Sequence, residues 1–250
     1  MLVMENKGQT IARWKSEICA YLVCLVGAVV LFGWYSHNTS LVQIHATFVP
    51  MQYNTAAGFL LSGLSIVALL YHFKKVAQAC AAIVFILGLF TLIQYIFSIN
   101  LGIDQLLMEH YITVKTSHPG RMAPNTALCF MLTGLCLLAY LHLKTKFRLV
   151  ALAVIPTTIF TLATLALLGY LSNVDTLYGW GKLTKMALHT SVAFMLIGLS
   201  LLSLAWRESQ VNQTPVHHWL PFAIGTMLLL ATLLTWQAVT INESNKQRNT

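Results

Sequence analysis

The sequence predicts an all-α, polytopic membrane bundle of seven transmembrane helices, and three observations carry that prediction. Hydrophobic residues make up 57% of the 250 and charged residues 9%, with a mean hydropathy of +0.71, a balance foreign to soluble domains. The apolar residues fall in continuous, non-alternating runs, each long enough to cross a hydrocarbon core of roughly 30 Å at roughly 1.5 Å per residue. And one stretch of a span occurs three times.

Met51 to Gly63, Met122 to Gly134 and Met186 to Gly198 all read Met-x-x-(Asn/His)-Thr-(Ala/Ser)-x-x-Phe-x-x-x-Gly-Leu. Fixed internal repeats are read before any fold is drawn. Met, Thr, Phe and Gly recur four apart, so on a helix they form one ridge. Phe59, Gly63, Phe130, Gly134, Phe194 and Gly198 are the packing candidates. A second ridge runs Asn54/Gly58/Ser62, Asn125/Cys129/Thr133 and His189/Ala193/Ile197. Small residues four apart let helix backbones approach closely in a membrane, although Ile197 departs from that pattern. Asn54, Thr55, Asn125, Thr126, His189 and Thr190 are the candidate ligand-binding residues. Two readings of the Asn/Asn/His trio stay open: convergence on a shared polar site, or capping and packing of helix N-termini.

Taken in order, residues 1–16 form a polar cytoplasmic segment, and 17–241 a single membrane domain. The first span is Ile18 to Tyr35, retained rather than cleaved as a signal peptide, since no small-x-small site follows it. Further spans are Met51–Tyr71, Val76–Ser98, Met122–Leu141, Leu149–Leu171, Met186–Trp206 and Trp219–Thr240, and 242–250 is an extracytoplasmic tail. Each triplicated stretch follows a span that ends in an aromatic, Tyr35, Tyr95 or Tyr170. This gives three hairpins of equal orientation, 17–72, 76–143 and 148–206, plus an extra helix at 219–240. The second, fourth and sixth spans are expected to face one another. The middle hairpin carries an insertion, Asn100 to Arg121, in which Ile103, Leu106, Leu107 and His110 share a helical face. It is expected to form a short amphipathic interfacial helix. Trp34, Tyr35, Tyr53, Tyr71, Tyr95, Tyr178, Trp180, Trp206 and Trp219 cluster near span ends as an aromatic belt.

With the N-terminus inside, Lys7, Arg13, Lys15, Lys74, Lys75, Lys144, Lys146, Arg148 and Arg207 lie on the cytoplasmic side. Lys115, Arg121, Lys182, Lys185, Lys246 and Arg248 face outward. That bias places the N-terminus in the cytoplasm and the C-terminus in the periplasm. It also accounts for the net charge of +8 without a nucleic-acid partner.

Cys19, Cys24, Cys80, Cys129 and Cys136 lie in apolar stretches and form no Cys-x-x-Cys pair, so they read as small hydrophobes. His37, His45, Asp104, Glu109, His110, His118, Asp175 and His189 lie on the outer side, but none shows tight metal-ligand spacing. No cofactor, metal or haem is expected. His72 and His142 end spans beside lysines as interfacial anchors. The central parts of the spans hold no Lys, Arg, Asp or Glu, against a proton pump or a carboxylate-coupled transporter. No phosphate loop, nucleophile triad or dinucleotide fingerprint is present, so the chain is expected not to be an enzyme.

Through its repeated motif, and through Gly102-Ile-Asp104, Pro119-Gly-Arg-Met-Ala-Pro-Asn-Thr-Ala127, Tyr178-Gly-Trp-Gly181 and Met186-Ala-Leu-His-Thr190, the chain resembles a bacterial membrane region. That region is the N-terminal multi-helix part of sensor histidine kinases and diguanylate cyclases. The resemblance covers about Trp34 to Ala238. It implies a sensory or transmission input module in the inner membrane, followed in such proteins by a CHASE-type periplasmic domain and cytoplasmic output modules. It implies a homodimer, a membrane-soluble or periplasmic cue, and a signalling partner on either side of the bilayer. It carries over no ligand residues. A small-molecule carrier with a path between the second, fourth and sixth spans is the alternative, and a membrane-anchor subunit of a larger complex is a third.

Overall fold

The computed structural model of the chain describes residues 7–112, 117–172, 174–180, 183–212 and 220–248. Lys115, Lys182, Trp219 and residues 1–6 lie outside the described residues, as do the side chains of Lys146, Asp175, Lys246 and Arg248. Among the described residues, seven long helices are apolar enough to cross a membrane. They are α1 (Lys7–Tyr35), α3 (Tyr53–Leu70), α4 (Lys74–Ile96), α5 (Pro124–His142), α6 (Thr145–Ser172), α8 (Leu188–Val211) and α9 (Leu220–Arg248). Two single turns, α2 (Thr39–Val42) and α7 (Asp175–Tyr178), sit in the loops. No strand occurs among the described residues. The chain is an integral membrane protein of all-α architecture.

α1 packs on α3, α3 on α4, α4 on α5, α5 on α6, α6 on α8, and α8 back on α1, closing a ring. α3, α5 and α8 also meet one another, and α9 lies outside, against α6 and α7. The three helices that carry the triplicated stretch thus meet at the centre, and α6 is buried to a similar degree between its neighbours and α9.

The ring closes tightly because small residues recur at matching heights. A Cβ on Gly27 would lie 2.7 Å from the Ala56 carbonyl of α3, and one on Gly88 2.5 Å from the Ala127 carbonyl of α5. In α6 the same register holds Ala163, fully buried. The motif glycines return the favour: Gly63 meets Ala20 and Cys24 of α1, Gly134 meets Ala81 and Phe85 of α4, and Gly198 meets Pro156 and Phe160 of α6.

Several boundaries differ from the expectation. α1 starts at Lys7, and Ser16, fully buried, bonds to Ser200 Oγ of α8 at 2.9 Å. The polar start continues the helix because it packs on α8. α8 runs on to Val211, since Glu208 is held by Arg148 at 2.7 Å and by the Tyr140 hydroxyl at 3.3 Å. α9 continues through 242–248. Asn100 to Ile112, in the described part of the insertion, is not helical. It folds over the bundle end with Asp104 and Ile112 buried and Leu106 and Leu107 exposed. Buried polar bonds outweigh the amphipathic pattern there.

Candidate functional site

The loop-bearing end of the bundle, where α1, α4 and α6 finish, gathers the candidate residues. Its frame is an aromatic latch used three times. Trp34 Nε1 donates to the Met51 carbonyl at 2.9 Å, the Tyr95 hydroxyl to that of Met122 at 2.9 Å, and the Tyr170 hydroxyl to that of Met186 at 2.7 Å. Trp34, not Tyr35, therefore stands in register with Tyr95 and Tyr170. Reading by residue type missed this, because an indole N–H serves the same carbonyl as a phenol O–H. Tyr35 instead shares a bond with Tyr53, 2.8 Å between hydroxyls. Each latched helix closes with the same bond spanning five residues: Asn38 N to Gly33 O, Ile99 N to Gln94 O and Val174 N to Gly169 O. That is the Schellman pattern, with His37 and Ser98 at φ 52°.

Below the latches, Phe59, Phe130 and Phe194 are fully buried and touch pairwise, with ring centroids 4.7 to 4.9 Å apart. They fill the space between α3, α5 and α8. At about 100° per residue, Thr55 and Ser62 project about 40° and about 60° from Phe59 on the same side. The axis thus carries a threonine layer above the phenylalanines, Thr55, Thr126 and Thr190, all within 2% exposure. Gln52 caps the axis end of α3 at 3% exposure, with both side-chain polar atoms sealed from solvent and unbonded. Its counterparts ahead of α5 and α8 are Ala123 and Ala187.

The Asn/Asn/His trio sits about 140° from the phenylalanines, and each member turns to a different loop. Asn54 Nδ2 donates to the Ile103 and Asp104 carbonyls at 3.2 and 3.0 Å, in the α4–α5 loop. Asn125 Nδ2 donates to the Tyr178 carbonyl at 3.2 Å, in the α6–α8 loop. His189 faces the Val42 carbonyl of the α1–α3 loop, but neither ring nitrogen makes a hydrogen bond of ordinary geometry. The pattern is cyclic in direction: Asn54 and Asn125 each hold the loop of the next helix pair, and His189 faces the third loop without bonding to it. The N-cap positions, Gln52, Ala123 and Ala187, make no side-chain cap bond. Only Asn125 Oδ1 accepts a local helix amide, from Thr126 at 3.0 Å.

Sequence reasoning missed one cluster. Arg121 Nε pairs with Asp104 Oδ2 at 2.8 Å, Gln94 Nε2 donates to Asp104 Oδ1 at 3.0 Å, and Arg121 also reaches Gln94 Oε1 at 3.1 Å. Arg121 lies over the Tyr95 ring. By sequence Asp104 is one of the outer-side acidic residues and Arg121 one of the outward topology charges. Their opposite signs at the two ends of one insertion were the available signal. Nearby, His110 packs on Trp34, centroids 5.5 Å apart, with both ring nitrogens buried and unbonded. Burial pushes its pKa below the ordinary imidazole value. Among the described residues no three His, Cys, Asp or Glu side chains group as a metal site.

No family model matches the chain, and no curated protein or solved structure matches it either.

Proposed function

We propose that this chain is the membrane-embedded input and transmission module of a bacterial signal-transduction protein, of the kind that precedes sensor kinases and diguanylate cyclases. It lies in the inner membrane with its N-terminus cytoplasmic, acts as a homodimer, and conveys a membrane-soluble or periplasmic cue without catalysing a reaction. Its three helix pairs are copies of one unit.

The observation that carries this reading is that Asn54 and Asn125 hold, and His189 faces, the loop of the next helix pair. A displacement imposed on one loop pulls a motif helix belonging to another pair, so the ring responds as a unit. The carrier alternative needs a path between α3, α5 and α8, and the phenylalanine triad occupies that space. Coupling also requires an element with two arrangements, and the joint at His189, where the regular amide bond is replaced by an unbonded imidazole, is the weakest of the three.

Hydrogen exchange on the full chain in lipid nanodiscs tests the reading. Asn125→Ala removes the joint to Tyr178. Faster exchange in 38–52 and 99–112, as well as in 174–180, is the expected result. A change confined to 174–180 counts against transmission. A saturable solute flux in proteoliposomes supports the carrier instead.

A further inference from the structure

A cavity of about 690 Å³ opens at the opposite end of the bundle, between α1, α6, α8 and α9. Ile11, Phe160, Leu199, Trp206 and Ile224 supply its walls, and Lys15 is the one charged residue of the lining among the described residues. The hydroxyls of Thr157 and Ser203, also in the lining, bond to the Ala153 and Leu199 carbonyls of their own helices at 2.6 and 2.8 Å. They offer little to an occupant. The cavity's four walls are helices long and apolar enough to span a membrane.

We infer that this groove binds one anionic phospholipid, an acyl chain lying between α9 and α1 and the phosphate paired with Lys15. Two features select that occupant. The walls take a hydrocarbon chain from the bilayer and give polar groups no partner. Lys15 is exposed, and its long stem allows the ammonium to reach along the apolar wall toward a headgroup. A zwitterionic headgroup gains less from a single cation than a net anionic one. The bound lipid fills the wedge that α9 leaves as it stands off from the ring. This inference is independent of the input-module reading, because the groove lies away from the loops and joints.

Native mass spectrometry of the full chain, with phosphatidylglycerol and phosphatidylcholine of matched chains, is the test. The expected result is one phosphatidylglycerol retained per chain, about fivefold more tightly than phosphatidylcholine. Lys15→Gln should erase that preference while leaving phosphatidylcholine binding unchanged. Leu199→Trp, at an exposed lining position, should block both lipids, and the unfolding midpoint in detergent should confirm that each variant is folded. Equal retention of the two lipids by the unaltered protein would overturn the proposal. So would phosphatidylglycerol binding unchanged in both variants, retention of a free fatty acid in place of the phospholipid, or loss of a dimer in Leu199→Trp, which would assign the groove to a second copy.

Discussion

His189 is where one residue departs from a rule the other two copies obey. Asn54 and Asn125 each donate an amide hydrogen to a loop carbonyl, and His189 faces the equivalent carbonyl without a regular bond. A buried polar group left unbonded costs about 1 to 3 kcal/mol. His189→Asn is therefore expected to raise stability by about 1 kcal/mol, read as a higher midpoint in denaturant. An unchanged or lower midpoint would mean that the imidazole has a partner the asparagine cannot serve. His110 yields a pH prediction outside the spans. Its folded-state pKa is depressed by burial against Trp34, so the unfolded loop binds the proton more readily. Its contribution is complete above the free imidazole value of about 6.5 and declines as pH falls below it. Amide protection over 99–112 should drop on acidification through that range, and His110→Phe should flatten the response.

At the scale of elements, glycine marks the helix crossings. Gly88→Ala would place a methyl 2.5 Å from backbone atoms of Ala127 and Met131, where nothing flexible can yield. It should cost several kcal/mol, at the upper end for overpacking. Gly225, on α9, has nothing within 4 Å of an added Cβ, so Gly225→Ala should be neutral or stabilise by roughly 0.5 to 1 kcal/mol. Denaturant midpoints of the two variants separate a packed crossing from an exposed helix. These elements were legible in the sequence because their period and apolar length survive into the fold. The trio's destination was not: the spacing leaves open both a shared polar site and packing or capping, and the loop carbonyls that Asn54 and Asn125 reach are long-range partners that local spacing cannot express. The insertion was misread because its apolar spacing imitates a helix. Asp104 and Arg121 instead anchor it to Gln94, a long-range pairing that local periodicity cannot express. Trp34 is not legible as the partner of Tyr95 and Tyr170 by residue type, because what the three share is a ring N–H or O–H donor and not a side chain.

For the whole molecule, the phenylalanine triad decides whether the bundle is one cooperative unit. Three helices that share only sparse backbone contact are joined at their centre by three rings, each touching the other two. Removing one ring should cost about 3 to 5 kcal/mol, the range for a buried Phe→Ala. The informative result is the comparison among copies. If the triad is a single closed contact, Phe59→Ala, Phe130→Ala and Phe194→Ala should destabilise by similar amounts. The double variant Phe59→Ala/Phe130→Ala should then fall short of the sum, because the two singles both break the Phe59–Phe130 contact. The same series reads the functional alternatives. In proteoliposomes, a leak of small solutes that appears only in Phe130→Ala would identify the triad as the plug of an otherwise passable axis. Destabilisation without leak would mean that the axis is packed along its length, with Ser62, Thr133 and Ile197 and then Ile66, Leu137 and Leu201, all at most 1% exposed, closing it below the rings. The second outcome is the one the layered burial favours, and it is what a module that transmits displacement through a packed core requires.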